Sequence, residues 1–163
     1  MAELKADNVN IKVVLQGIRD DLRYLKAGHA RNAAVTDAYN LAQDMGLRYV
    51  SIMDRAELGS LLDANDTSDL ASGDLRSFRR ADLIIRAVDG EGQPCYIAAE
   101  ISFTVNGRDT SRAIRNAGLL NRFTNSPAFP AVAGVHLDER VRSLADSGEV
   151  FFYQLEPELL EVE

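Results

Sequence analysis

The sequence predicts an α/β fold, with a mixed sheet flanked by helices and an N-terminal coiled-coil helix. Two patterns predict it: an apolar heptad repeat over residues 4–25, and an alternation of helix-like and strand-like segments over the rest of the 163 residues. The length suits one domain with a hydrophobic core. We therefore divide the chain into a coiled-coil or oligomerisation helix, residues 1–27, and an α/β domain, residues 28–163.

The composition favours a cytoplasmic protein without a membrane partner. No segment approaches the roughly 18 apolar residues of a membrane-spanning helix. The single cysteine, Cys95, excludes an internal disulfide and is typical of a reducing compartment. The net charge of -7 argues against nucleic-acid binding, which draws its affinity from Lys and Arg. DNA nevertheless stays open as a partner, because a local basic strip is compatible with an acidic total.

The first helix carries an apolar seam. Spacings of four and three alternate along it, which is the pattern of a left-handed coiled coil. The seam consists of Leu4, Asn8, Ile11, Leu15, Ile18, Leu22 and Leu25. We expect a homodimer or higher homo-oligomer through residues 4–25, with Gly28 ending the helix. The alternative is a single amphipathic helix that folds onto its own domain.

The segments that follow alternate between helical and extended patterns. A helical face of small residues spans 30–44, a short strand spans 47–53, and Asp54 is a good N-cap for the next helix. A further helical face comprises Leu70, Leu75 and Phe78.

The second half of the chain predicts a hairpin followed by helices and strands in alternation. Strands at 81–88 and 95–105 flank the turn signal of residues 89–92. A helix capped by Asp109 and Thr110 then runs to about residue 123. The remaining predicted elements are a strand at 130–135, a helix at 137–147 that ends at Gly148, and a strand at 149–155.

Two acidic residues are expected to converge on the hairpin. Asp82 begins its first strand and Glu100 lies within the second, so antiparallel pairing brings them together. Residues two apart in a strand share a face, which places Ser102 beside Glu100. Neighbouring, partly buried carboxylates disfavour ionisation. A divalent cation relieves this cost, and Mg²⁺ binds one or two carboxylates together with waters and phosphate oxygens.

From Asp82 onward, the order of elements resembles the PD-(D/E)XK nuclease superfamily. In that pattern an Asp precedes a hairpin turn, an acidic-x-Lys triplet follows on the next strand, and a helix and a strand complete the core. Asp82 matches the motif Asp, and Glu100-Ile101-Ser102 matches the triplet with serine in place of lysine. The resemblance covers roughly residues 81–155. It implies a restriction-endonuclease-like fold, with Asp82 and Glu100 as Mg²⁺ ligands and a metal-activated water that hydrolyses DNA.

The serine is the main departure from this pattern. A hydroxyl forms hydrogen bonds but carries no positive charge, and no lysine follows Lys26. Arginine replaces the charge without acting as a base. The candidate phosphate-binding residues, on the loop and helix after the triplet, are Arg108, Arg112 and Arg115. The acidic residue that the family carries on its first core helix has Asp37 or Asp44 as its nearest counterpart.

Two functions remain open on the sequence. The missing lysine favours a degenerate nuclease-like domain that acts as an assembly or regulatory module on its coiled-coil stalk. The retained carboxylates favour an active Mg²⁺-dependent endonuclease, in which Ser102 positions water. Two structural alternatives stand beside these functions. They are a salt bridge from Glu100 to Arg86, Arg112 or Arg115, and a role for Asp82 as a cap of the preceding helical segment.

Overall fold

Helices and strands alternate along the chain, as the sequence predicts. A computed structural model describes residues 2–156, with side chains for residues 8–156. Its elements are α1 (Ala2–Thr36), α2 (Ala38–Asp44), β1 (Arg48–Met53), α3 (Arg55–Asp63), α4 (Ser72–Arg79), β2 (Leu83–Val88), β3 (Pro94–Ile101), β4 (Thr104–Val105), α5 (Gly107–Thr124), β5 (Ala128–Gly134), β6 (His136–Leu137), a 3-10 turn (Glu139–Val141), α6 (Arg142–Asp146) and β7 (Phe151–Gln154). The predicted seam position Leu4 and the predicted domain end, 157–163, lie outside the described side chains.

The five longer strands form one mixed sheet in the order β1-β2-β3-β5-β7. β1, β2 and β3 pair antiparallel, whereas β5 runs parallel to β3 and β7 parallel to β5. The short strands β4 and β6 form a separate parallel pair. This mixed sheet with its flanking helices and long N-terminal helix confirms the predicted α/β class. Among the described helices, none is both long enough and apolar enough to cross a bilayer.

Helices cover both faces of the sheet. The end of α1 and all of α2 present small side chains to one face, which lets these helices approach the strands closely. That core includes Ala30, Ala34, Ala38, Leu41, Ala42, Ile85, Ile97 and Ala99. The opposite face is covered by α3, α4 and α5, whose core includes Leu58, Phe78, Leu120, Ile84 and Ala98. The hairpin of β2 and β3 is therefore enclosed on both sides.

The predicted helix break at Gly28 is wrong. α1 continues through the predicted boundary at 27/28 and ends at Thr36, so the helix predicted at 30–44 is divided between α1 and α2. A glycine inside a helix costs only about 1 kcal/mol. Burial of Ala30 and the alanines that follow it on α1 offsets this cost. Before that point, every described side chain of α1 from residue 8 to residue 28 is exposed.

The N-cap predicted for α3 is confirmed, whereas the N-cap predicted for α5 is not. Asp54 caps α3 as predicted, with its carboxylate accepting a hydrogen bond from the Glu57 amide at 2.8 Å. The predicted cap of α5 at Asp109 and Thr110 is wrong, because Asn106 is the N-cap. The Asn106 side chain accepts from the Asp109 amide, and the Asp109 carboxylate accepts from the Asn106 amide at 3.0 Å. This reciprocal capping box moves the helix start to Gly107.

Two further predicted elements are shorter than expected. The second hairpin strand ends at Ile101 instead of residue 105, and β4 pairs with β6 outside the main sheet. The single helix predicted at 137–147 is wrong, because the segment comprises the end of β6, the 3-10 turn and α6. Gly148 ends α6 with a φ of 82°, as its position predicts.

Candidate carboxylate site

The β2–β3 hairpin brings Asp82 and Glu100 together, as the sequence predicts. Leu83 pairs with Ala99 in the antiparallel register, so the next position of each strand places Asp82 opposite Glu100. The connecting turn is held by the Asp89 carboxylate, which accepts from the amides of residues 91 and 93 at 2.9 Å each. The register therefore follows from the turn chemistry and the apolar alternation.

Glu100 is a buried acid with its own set of donors. Its side chain is 1% exposed and points to α5. Oε1 accepts from Asn116 Nδ2 at 3.2 Å and lies 3.3 Å from Nε of Arg112. Oε2 accepts from the backbone amide of Asp82 at 3.3 Å. The predicted salt-bridge alternative is therefore present in the structure, and Arg112 is its partner among the three candidates.

Asp82 is held by β3 and by α1. Its Oδ2 accepts from the Ile101 amide at 2.9 Å, and its Oδ1 lies 3.2 Å from Nη2 of Arg31. These contacts replace the predicted cap of the preceding helical segment. All four oxygens of the Asp82–Glu100 pair thus face a donor of the protein.

Burial raises the pKa of Glu100 to about 8. The neighbouring Asp82 carboxyl adds to this rise, because two negative charges side by side repel each other, whereas the Arg112 guanidinium opposes it. The coupled pair therefore retains a proton to a higher pH than an ordinary glutamate would. A proton on one member lets the pair avoid two adjacent negative charges.

A third acid, Asp109, lies at the start of α5. Burial raises the pKa of its carboxyl, while the hydrogen bond from Asn106 and the Arg112 charge oppose the rise. Its side chain also contacts Ser102. Even so, the part of the chain with described side chains contains no group of three or more His, Cys, Asp or Glu residues placed to hold a metal ion.

Ser102 lies just beyond the strand that was expected to carry it. Because β3 ends at Ile101, the strand alternation that predicted a shared face with Glu100 does not reach Ser102. The Ser102 hydroxyl donates to the Thr104 carbonyl at 2.9 Å.

The predicted basic residues are distributed over different partners. Arg115 pairs with Asp74 at 3.4 Å and donates to the Ser77 hydroxyl at 2.7 Å. Arg86 pairs with Glu57, and Arg108 is exposed at the start of α5. Only Arg112 of this group contacts the carboxylate pair. A role of Arg108, Arg112 and Arg115 in phosphate binding stays a prediction.

Two residues of this site, Asn116 and Arg31, were not identified from the sequence. Asn116 and Arg112 lie four residues apart on α5 and reach the same Glu100 oxygen, so helical spacing from Arg112 was the available signal. Arg31 lies 51 residues from Asp82, and no local pattern connects them. Asp37, the predicted first-helix acid, accepts a hydrogen bond from the Tyr153 hydroxyl instead of joining the pair.

Comparison with known proteins gave no assignment. The chain matches no protein-family model, and its comparison with curated proteins and with solved structures gave no match either. The class that the fold defines is therefore an α/β protein with a five-stranded mixed sheet and a long N-terminal helix. Its function has to be argued from the site and the surface.

Proposed function

We propose that the chain is a degenerate, restriction-endonuclease-like module of the PD-(D/E)XK type that assembles with a second copy of itself through α1. The order of β2, β3, α5 and β5 supports this kinship, because a hairpin followed by a helix and a parallel strand is the order that the motif resemblance implies. The observation that carries the function is the apolar seam of α1. Its members Ile11, Leu15, Ile18, Leu22 and Leu25 are 48–56% exposed.

This seam favours a second helix as its occupant. The chain's own domain leaves about half of each seam side chain in solvent, so folding of α1 onto that domain does not account for the pattern. Burying the exposed half of such a side chain contributes about 1 kcal/mol. Five positions on each of two helices contribute about 10 kcal/mol, which is comparable to the cost of association. Because the gain and the cost are of similar size, the expected assembly is a weak dimer that forms as the concentration of the chain rises.

The carboxylate pair supports the degenerate assignment. The position of the motif lysine holds Ser102, and each oxygen of the Asp82–Glu100 pair faces a protein donor. The pair joins β2 to β3, and Arg31 and Arg112 extend the network to α1 and α5. Its contribution is therefore structural: it fixes the base of α1 against the hairpin.

Disulfide trapping in the full chain tests the assembly. Ile18→Cys lies on the seam, and its matched control, Tyr24→Cys, lies on the outer side of α1, where the native side chain is 81% exposed. Under mild oxidation we expect a covalent dimer from Ile18→Cys and little from Tyr24→Cys, because in a parallel pair of α1 helices only seam positions bring the two copies of one residue within bonding range. Cys95 is buried and stays in both variants. Equal trapping of both variants, or none, contradicts the proposal.

A second candidate function is Mg²⁺-dependent hydrolysis of DNA phosphodiesters. The contact between the two carboxyls favours it, because the raised pKa of Glu100 marks a charge conflict that a cation would relieve. The carboxylate pair supplies some of the ligands that such an ion requires. Asp82 and Glu100 would hold it, and a bound water would supply a partner to Asn116 Oδ1, which is buried without one. The metal would supply a nucleophilic water and a counter-charge for phosphate.

A cleavage assay separates the two functions. Single-stranded, duplex and branched DNA are incubated with the full chain and Mg²⁺ or Mn²⁺, beside the Asp82→Asn variant. The degenerate assignment predicts no cleavage above background for either protein. Metal-dependent cleavage by the wild type that Asp82→Asn abolishes would establish the second function instead.

A further inference from the structure

A basic groove lies between the stalk helix and the segment that follows β3. It has a volume of about 460 Å³, and its α1 side contributes the three cations Arg19, Arg23 and Lys26 together with Ala27 and the seam residue Leu22. The other side contributes Ser102, Phe103 and Thr104. No acidic side chain is among the described residues that line it. In an acidic chain, this is a local concentration of positive charge.

The three cations of the groove have no carboxylate partner among the described side chains. Arg31, Arg112 and Arg115, by contrast, each pair with an acid. Lys26 instead places its Nζ 4.8 Å from the centre of the Phe103 ring. Unpaired cations on one helix face are the usual electrostatic footprint of a phosphate-binding surface.

The spacing of these cations suits consecutive phosphates. At a helical rise of 1.5 Å per residue, Arg19 and Lys26 lie about 10 Å apart along the axis, which is on the order of three nucleotides of one strand. The volume is that of a pocket for a small ligand, which suits one nucleotide of a single strand.

Phe103 adds a platform for bases. The ring is only partly buried, and it is held by the Lys26 ammonium and by the edge of His136, whose ring centre lies 5.4 Å away. Bases stack on such aromatic rings without regard to sequence. We infer that this groove binds a single strand of nucleic acid, with Arg19, Arg23 and Lys26 on the phosphates and Phe103 against a base.

The groove borders the seam of α1 on one side and lies near the carboxylate pair on the other. It borders the seam because Leu22 belongs to both and because Arg19 and Lys26 each lie one helical turn after a seam residue. Ser102 directly follows Ile101, whose amide donates to Asp82. A nucleic-acid strand bound in the groove would therefore pass close to the carboxylate pair.

Fluorescence anisotropy with a labelled thymidine oligomer tests the inference in the full chain. The Arg19→Gln, Arg23→Gln, Lys26→Gln variant removes the three cations. Its matched control is Arg76→Gln, Arg79→Gln, Arg80→Gln, which removes the same charge from exposed positions at the end of α4, across the sheet. We expect the groove variant to lose at least about tenfold in affinity and the control less than about twofold. The slope of log K against log salt should fall by about 2 in the groove variant, at about 0.7 per phosphate for single strands.

A second variant tests the aromatic contact. Phe103→Leu keeps an apolar side chain and removes the stacking face, so affinity should fall about tenfold, whereas Phe103→Tyr should retain it. Circular dichroism and sedimentation establish that the variants stay folded and keep the wild-type assembly. The inference is overturned if the wild type does not bind the oligomer, or if the two triple variants lose affinity equally. Displacement by thymidine monophosphate at equal nucleotide concentration would also overturn it, since the ligand would then be a free nucleotide.

Discussion

The backbone amide of Asp82 donates to the carboxyl of Glu100 at 3.3 Å, while the amide of Ile101 donates to the carboxyl of Asp82 at 2.9 Å. Two side chains thereby extend the antiparallel β2–β3 ladder beyond the last backbone pair. Each acid acts as an acceptor where the ladder would otherwise leave an amide without one. This reciprocal arrangement gives the pair a structural role that requires no metal.

The raised pKa of Glu100 predicts a loss of stability at alkaline pH. Between its ordinary value of 4.5 and about 8, the unfolded chain has released the Glu100 proton and the folded chain retains it. The free energy of unfolding therefore falls as the pH rises through this window, by a few kcal/mol in total. We expect the melting temperature to fall between about pH 5 and about pH 8.5, and Glu100→Gln to flatten this dependence, because glutamine has no proton to lose.

The matched control for this titration is Glu91→Gln, which removes a carboxylate from the exposed hairpin turn. It should keep the wild-type dependence on pH. If the melting temperatures of the wild type and Glu100→Gln change with pH by the same amount across the whole range, the assignment of a buried, protonated Glu100 is contradicted.

Removing the guanidinium beside Glu100 should destabilise the protein more when Glu100 is charged than when it is protonated. Arg112→Met keeps the aliphatic stem and removes the positive charge. We expect a loss of about 1 kcal/mol near pH 9, because the folded chain can then no longer ionise Glu100 favourably, and a smaller loss near pH 5. Urea denaturation measures both values. In a Glu100→Gln background, the loss of stability caused by Arg112→Met should no longer depend on pH. If it still depends on pH, Arg112 acts on an acid other than Glu100.

Gly134 permits the close approach of β5 to the segment that carries Ser102. A Cβ on Gly134 would lie 2.8 Å from Val105 Cγ2 and closer still to the Ser102 carbonyl oxygen. We expect Gly134→Ala to lower the free energy of unfolding by about 2 kcal/mol, since overpacking forces the backbone to shift. Gly118→Ala, on α5 with no atom near the added Cβ, should instead stabilise by about 0.5–1 kcal/mol. Urea denaturation of both variants checks this, and equal stabilities would contradict the clash.

Divalent metal should leave the melting temperature of the wild type unchanged. The pair already has Arg31 and Arg112 as counter-charges, so Mg²⁺ has to compete with two guanidinium groups and with the Glu100 proton. Thermal melting is measured with increasing Mg²⁺ or Mn²⁺, with the Asp82→Asn, Glu100→Gln double variant as the control. A saturable rise that the double variant lacks would reveal a metal site and favour the nuclease.

Local sequence patterns accounted for the strands of the hairpin, its turn and the meeting of Asp82 with Glu100. Those features depend on residues near each other in sequence, which is why alternation and turn chemistry predict them. The helix break predicted at Gly28 is wrong because burial of the alanines that follow outweighs the helix penalty of one glycine. Arg31 and the basic groove were missed, since both require α1 to lie against the hairpin, which no local pattern specifies.

Sedimentation equilibrium of the full chain tests the central claim, that α1 assembles through its seam. The wild type is compared with Leu15→Asp, Leu22→Asp, which places charges on the seam, and with Gln16→Glu, Tyr24→Glu, which adds the same charge outside it. We expect the wild type and the outer variant to dimerise with rising concentration, and the seam variant to stay monomeric, because charged seam positions are costly to bury. A wild type that remains a monomer at every concentration, or a seam variant that dimerises equally well, would contradict the claim.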